Sequence, residues 1–258
     1  MATHSHNQNC GSTTQFEPTD YGMETGPSAV AIVDLVYQCM SPTSVVDVGC
    51  GTGVFLQKFQ NRGVDSILGL DGPRTRTVFD ADKSNFLAVD LTEPLNLGRH
   101  FDLALCLEVA EHLPESSAGL LVKTLTDLAP VVLFSAAHPG QGGHGHINEC
   151  WPVYWQRRFS QHGFVALDIF RGPLSRNPRV LDCYRRNLVL YVESSLSTDI
   201  LKTAEGLGVA DAFILAHTAG VVTELEHQPW RVLIQTLILK FCRRIRRSVQ
   251  RLVPALDP

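Results

Sequence analysis

The segment Val45-Val46-Asp47-Val48-Gly49-Cys50-Gly51-Thr52-Gly53 constrains this chain more than any other. Valines interrupted only by Asp47 run into three glycines at alternate positions, and Val54-Phe55-Leu56-Gln57-Lys58-Phe59 follows at once. The pattern predicts a buried strand, a tight turn and a helix start. Glycine at every second position lets the backbone take positive φ and lie against a ligand. The N–H groups at the helix start then face an anionic or polar group. A plain strand-to-helix turn needs neither an acid inside its strand nor a glycine on each side of Cys50. No phosphate-gripping lysine follows, which excludes a P-loop.

The glycine order is G-x-G-x-G, whereas a dinucleotide-binding loop wants G-x-G-x-x-G. With Asp47 two residues ahead of the first glycine, the whole reads D-x-G-x-G-x-G. It resembles the first motif of class I S-adenosylmethionine-dependent methyltransferases. That resemblance implies that Asp47, Gly49, Gly51 and Gly53 lie against the cofactor.

Size and charge agree with one α/β domain carrying additions: 258 residues, 44% apolar and 19% charged. The net charge of −4 leaves no global basic field, so a nucleic-acid partner is not expected. Seven cysteines, an odd number without a C-x-x-C pair, fit a reduced, cytoplasmic chain. Residues 1–25 are polar and lack an apolar run, and are expected to be a flexible tail rather than a signal peptide or membrane span. His4 and His6 in that tail could pick up stray metal. From Gly26-Pro27-Ser28 to Met40 apolar residues recur at helical spacing. A helix there resembles the N-terminal helices that roof the cofactor in methyltransferases, and Tyr21 sits where some of them place an aromatic lid.

Ser66 to Gly72 reads as the second strand, ending in Asp71, whose carboxylate can accept hydrogen bonds from both ribose hydroxyls of an adenosyl group; Gly72 belongs to the same site. Asn85 to Leu91 reads as the third strand, and the family resemblance implies that Asp90 and Leu91 read the adenine. Phe101 to Cys106 is the fourth strand. The octet after it, Leu107-Glu108-Val109-Ala110-Glu111-His112-Leu113-Pro114, resembles the E-V-x-E-H-L/I-P segment of small-molecule methyltransferases. By that resemblance Glu108 faces the cofactor, Glu111 and His112 begin a helix, and His112 is a cofactor or structural contact. Ala118 to Leu128 has helical periodicity ended by Pro130, and Val131 to Ala137 is the fifth strand. Ligands in a doubly wound parallel sheet bind beyond the carboxyl ends of its strands, where all these residues fall.

The second informative stretch is His138-Pro139-Gly140-Gln141-Gly142-Gly143-His144-Gly145-His146-Ile147-Asn148-Glu149-Cys150-Trp151-Pro152. It resembles the P-G-Q-G-G-x-x-H-x-N-E-x-W-P-x-Y-W segment of a methyltransferase subgroup from bacterial secondary-metabolite and glycan contexts. His146, or His144, can act as a general base, since an imidazole titrates near about 6.5. Asn148 and Glu149 would then orient the substrate. Alternatively His144, His146 and Glu149 hold a divalent metal, a possible but less favoured set, or the loop is purely structural.

Trp151 to His162 is helical, with Trp155 and Phe159 as core residues; Phe164 to Phe170 is the sixth strand. Arg185 to Val192 is the last strand, paired antiparallel with the sixth, and Arg185 and Arg186 are expected to be ion-paired or solvent-facing. Trp230 to Val253 reads as an amphipathic helix with Lys240, Arg243, Arg244, Arg247 and Arg251 on one side. Its apolar run is shorter than the about 20 residues a membrane span needs, so peripheral membrane contact, a dimer seam or packing on its own domain remain open for it.

The expected fold is a Rossmann-like, doubly wound α/β domain with a seven-stranded, mostly parallel sheet, an N-terminal lid helix and a C-terminal helical extension. The expected boundaries are 1–25 for the tail, 26–194 for the methyltransferase domain and 195–258 for the extension. The expected function is methylation of a small-molecule acceptor, secondary-metabolite or sugar-like, most readily at oxygen, by a monomer or homodimer using S-adenosylmethionine. N-methylation and metal-assisted methylation are the alternatives within the class. A nucleotide-dependent oxidoreductase is disfavoured by the glycine spacing and Asp90, and a non-catalytic cofactor-binding scaffold by the histidine-rich loop.

Overall fold

Helices bracket a single mixed sheet whose central strands read as continuous apolar runs because both of their faces are covered. In this computed structural model the described residues are 25–205, 213 and 214. In chain order they form α1 (Thr25–Cys39), β1 (Ser44–Val48), α2 (Val54–Gln60), β2 (Ser66–Asp71), β3 (Phe86–Ala88) and β4 (Leu103–Leu107). These are followed by α3 (Ala118–Leu128), β5 (Val131–Ser135), α4 (Pro152–Ser160), β6 (Phe164–Asp168) and α5 (Arg171–Leu174). The chain continues through α6 (Asp182–Asn187), β7 (Val189–Glu193), α7 (Ser197–Glu205) and β8 (Phe213–Ile214).

The strand order is β3-β2-β1-β4-β5-β7-β6-β8. The first five are mutually parallel, with Val46 opposite Leu68 on one side and Ala104 on the other. β7 lies antiparallel between β5 and β6, as the expected pairing with the sixth strand requires. Succession along the sheet reverses between β1 and β4, so a crevice for ligand opens beyond their carboxyl ends.

Side chains alternate between two cores with the period of two that a strand imposes. Val45, Leu103, Leu105, Leu133 and Leu190 face the layer of α1, α2 and α7, while Val46, Ala104, Val132, Phe134 and Tyr191 face α3 and α4. On the second side Phe134 lies 5.1 Å from Trp155 and 5.5 Å from Phe159, centroid to centroid, and Phe159 stacks on Tyr191 at 3.8 Å. Trp155 and Phe159 are therefore core residues. Helix α1 buries Ile32, Val33 and Val36 in the first core, together with Ile200 and Ala204 of α7.

Several element boundaries differ from expectation. The third strand is only Phe86–Ala88, an edge strand with Leu87 exposed, and Asp90 lies in the turn after it. Glu111 and His112 form one turn of 3-10 helix, Ala110–His112, and do not begin an α-helix. Pro114 forces Leu113 into an extended conformation, and the helix proper starts at Ala118. Arg185, Arg186 and Asn187 are helical rather than strand: Asp182 in the first turn pairs with Arg185 at 3.1 Å and Arg186 at 2.5 Å, which favours a helical turn. Both arginines are ion-paired. An eighth strand, β8, extends the sheet antiparallel to β6. Helix α7, which follows residue 194, packs Ile200 and Ala204 into the first core. Tyr21, the tail and the helix expected over 230–253 lie outside the described residues. Among the described residues no helix is long and apolar enough to cross a membrane.

Candidate active site

The glycine turn is held in place by backbone. Gly49 and Cys50 donate their N–H groups to the Leu70 carbonyl, at 2.7 and 3.1 Å, tying the end of β1 to the end of β2. Gly49, Gly51 and Gly53 all have positive φ, at 81, 52 and 78°. At Gly49 a Cβ would also sit 2.3 Å from a Val109 methyl, so glycine is required twice over. Asp47, one residue before the end of β1, is buried, and burial followed by the neighbouring Asp71 charge pushes its carboxyl up to about 7.

Asp71 closes β2 and faces back to the turn. It accepts from the Gly51 N–H at 2.8 Å, the Gly72 N–H at 2.7 Å and the Thr75 hydroxyl at 2.9 Å. The carboxylate expected at the ribose thus also braces the loop expected at the rest of the cofactor. Asp90 accepts from the Thr92 N–H and hydroxyl at 2.8 and 2.6 Å, and these bonds hold its carboxyl below the ordinary range. Leu91 packs partly buried on the second core.

Glu108 follows β4 with φ of 54°, the only non-glycine residue at positive φ among those described. Such backbone persists where the surroundings over-determine it, and it clusters at functional sites. Here the Glu108 N–H is bonded to the Ser135 carbonyl, and its carboxylate accepts from Asn187 at 3.2 Å and Gln141 at 3.4 Å. Asn187 also donates to Gln141 at 2.9 Å. Three segments far apart in the chain meet there, and neither Gln141 nor Asn187 stood out as a site residue in the sequence.

The histidine loop is built around Glu149. One of its oxygens accepts from the Gly140 N–H at 2.9 Å, the other from the Gly142 N–H at 2.8 Å and from His146 Nδ1 at 2.9 Å. These donors hold the Glu149 carboxyl below its usual range, the His146 bond foremost. A carboxylate only accepts, so His146 Nδ1 carries the proton and the lone pair lies on Nε2. That ring covers Gly143, where a Cβ would lie 2.3 Å from Nε2. Asn148 is buried and its backbone N–H donates to the Glu111 carbonyl at 3.0 Å, its amide to the Ala110 carbonyl at 3.4 Å. Glu149 and Asn148 therefore brace the loop. His144 is exposed and outside the cluster that forms around His146.

That cluster is Glu111, His112 and His146. The two rings meet edge to face at 5.0 Å, and His112 Nδ1 donates to the Gly145 carbonyl at 3.2 Å. Each of the three residues offers a ligand atom, and these atoms all lie within 4.8 Å of one another. The metal set suggested by linear spacing, His144 with His146 and Glu149, is not the one the fold gathers among the described residues. Glu111 was read as a helix residue, yet it is fully buried, and burial together with the Glu108 charge pushes its carboxyl up to about 9.

Among curated proteins, the chain is 32% identical over 89 residues to the ubiquinone biosynthesis O-methyltransferase of Rhodopseudomonas palustris strain TIE-1, covering 32% of this chain and 34% of that protein. The match thus spans about a third of the curated relatives' length. Among solved structures, the sugar N-methyltransferase KedS8 from Streptoalloteichus superposes with a TM-score of 0.54 at 15% identity, covering 75% of this chain and 98% of that one. DesVI of Streptomyces venezuelae gives 0.51 at 16%, covering 67% and 94%. Both likenesses show the fold. Residues 28–165, more than half of the chain, match the family described as a methyltransferase domain. The chain belongs to that family and is a class I S-adenosylmethionine-dependent methyltransferase.

Proposed function

We propose that this methyltransferase moves the methyl group of S-adenosylmethionine to a hydroxyl oxygen of a small-molecule acceptor, secondary-metabolite or sugar-like, and that the hydroxyl loses its proton at His146. The observation that carries this reading is the His146–Glu149 bond. It fixes the imidazole's tautomer and leaves Nε2 as the basic nitrogen of a ring on the loop that follows β5. The O-methyltransferases among the curated relatives support oxygen as the methylated atom.

In this reading the glycine turn lies along the cofactor, Asp71 meets the ribose and Asp90 with Leu91 borders the adenine. Glu108 and His112 close the site on the loop side. The acceptor oxygen attacks the sulfonium methyl in line as the methyl–sulfur bond breaks. The bonding pair goes to sulfur, giving S-adenosylhomocysteine. Holding the two reacting groups in line supplies much of the rate, and removal of the proton adds the remainder.

The test is mass spectrometry of candidate hydroxyl and amine acceptors incubated with isotopically methyl-labelled cofactor. His146→Ala is expected to lower turnover about 10³-fold, within the range of general-base contributions, with cofactor affinity by calorimetry changed by less than about twofold. Undiminished turnover in that variant would refute the role of His146, and label appearing only on amines would refute the oxygen acceptor.

A further inference from the structure

Glu111 is left unused by the reading above, and it is the anomaly of this edge. Its side chain is fully buried, and neither carboxyl oxygen has a hydrogen-bond partner. The nearest charge acting on it is a like one, Glu108. Burying a carboxyl without a partner is costly, and proteins offset such burial by keeping the group protonated, by a counter-charge or by a metal. The neighbouring groups that the fold brings up are two imidazoles. Glu111, His112 and His146 are the one set of three such side chains gathered this closely among the described residues.

We propose that Glu111, His112 and His146 bind a divalent transition-metal cation that presents an open coordination position to the acceptor hydroxyl. Two imidazoles and one carboxylate suit manganese, iron, cobalt, nickel or zinc rather than calcium or magnesium, which prefer oxygen ligands throughout. Three protein ligands with a position left over is the arrangement of a catalytic rather than a structural site. The supporting groups are already in place. His146 gives its Nδ1–H to Glu149 and His112 gives its own to the Gly145 carbonyl, so both rings offer Nε2 lone pairs. Outer bonds of this kind orient histidine ligands. A cation with bonds of about 2.0–2.1 Å draws tetrahedral ligands to about 3.4 Å apart, so atoms now within 4.8 Å need close by roughly 1.5 Å at most. The positive-φ glycines that precede His146, Gly142 and Gly145, allow that adjustment.

This inference rests on the reading of this edge as the methyl-transfer site and changes how His146 acts there. A hydroxyl bound to the cation becomes more acidic. Its proton passes to water, the oxygen keeps the O–H pair, and that oxygen attacks the methyl group while the methyl–sulfur pair stays on sulfur. His146 acts through the cation it holds.

The experiment is titration of Co²⁺ into the chelator-treated full chain, followed by visible d–d absorption and elemental analysis after desalting. Cofactor affinity of each variant is measured alongside as the check on folding. One equivalent of Co²⁺ is expected in the wild type and in His162→Ala, an exposed histidine outside the cluster. Binding is expected to be lost in His112→Ala and Glu111→Gln, and to weaken about 10- to 100-fold in Glu149→Gln, as outer-shell changes do. Chelation is expected to abolish methyl transfer and Co²⁺ to restore it. No Co²⁺ bound by the wild type would overturn the proposal, as would equal binding by all variants, which would place the metal on other histidines such as His4 and His6. Methyl transfer indifferent to chelator but lost in His146→Ala would overturn the cation and leave the direct proton acceptor standing. Co²⁺ binding that follows the expected pattern, in a chain that methylates no hydroxyl, would instead sink the acceptor assignment alone.

Discussion

The glycine turn of residues 49–53 and the glycine-rich loop of residues 138–151 sit at the same edge of the sheet, and they are built in opposite ways. The turn is held by backbone: two N–H groups on the Leu70 carbonyl and three left-handed glycines. The loop is held by side chains reaching to backbone, with Glu149 collecting two N–H groups and an imidazole, and Asn148 fastened to the Ala110–His112 turn. Backbone contacts to a ligand do not depend on which side chains surround them, so the turn suits a cofactor common to a whole family. Side-chain bracing ties the loop's shape to its own sequence. A region that must distinguish one acceptor from another needs that dependence.

Substitutions that strike one region and spare the other would break this contrast or sharpen it. The largest effect is expected at Gly49→Ala. Left-handed backbone costs about 1–2 kcal/mol for a residue with a Cβ, and the clash with Val109 adds about 1–3 kcal/mol. Thermal unfolding should show a loss of about 3 kcal/mol, and calorimetry the loss of cofactor binding. Wild-type stability in this variant would mean that the turn tolerates side chains and that the contrast is false. Next comes Glu149→Gln, which removes a charge and can no longer accept from three donors. Turnover is expected to fall roughly 10- to 100-fold with cofactor affinity unchanged, and equal losses of both would show that the loop also serves the cofactor. The smallest is Asp71→Asn, in which an amide nitrogen must face one of the Gly51 or Gly72 N–H groups. Cofactor affinity is expected to weaken about tenfold, the size of one charged hydrogen bond, while turnover at saturating cofactor is retained. A fall in turnover with intact affinity would move Asp71 from the cofactor to the reaction.

Legibility in the sequence follows the same division. The strand, turn and helix of residues 44–60 were readable because glycine conformation and capping are local properties. Asp71 was readable because an acid at a strand's end stands where the sheet opens. The doubly wound parallel order and the antiparallel last pair also followed from the alternation of elements and their resemblance to a family. The loop was readable as a functional segment but not in its internal roles. Glu149 bonds its own loop because Gly140 and Gly142 curl back to it, and linear spacing does not show that curl. Glu111 was taken for the start of a helix, since linear order does not show that Ile147 and Asn148, more than thirty residues away, bond their N–H groups to its carbonyl. At 182–187 apolar patterning competes with Asp182–Arg pairing, and the pairing prevails.

The placement of β7 between β5 and β6 bears on how the chain is made. A ribosome releases β6 before the strand that joins it to the rest of the sheet, since Val165 and Leu167 pair with Val192 and Leu190 and β6 does not touch β5. Until residue 193 has emerged, β6 has no strand beside it to pair with, although α4 can already pack Trp155 and Phe159 on Phe134 of β5. The cofactor half can close as soon as β5 is out, because its strands pair among themselves. Synthesis therefore completes the parallel half of the sheet, with the glycine turn, before the antiparallel half can close beside it.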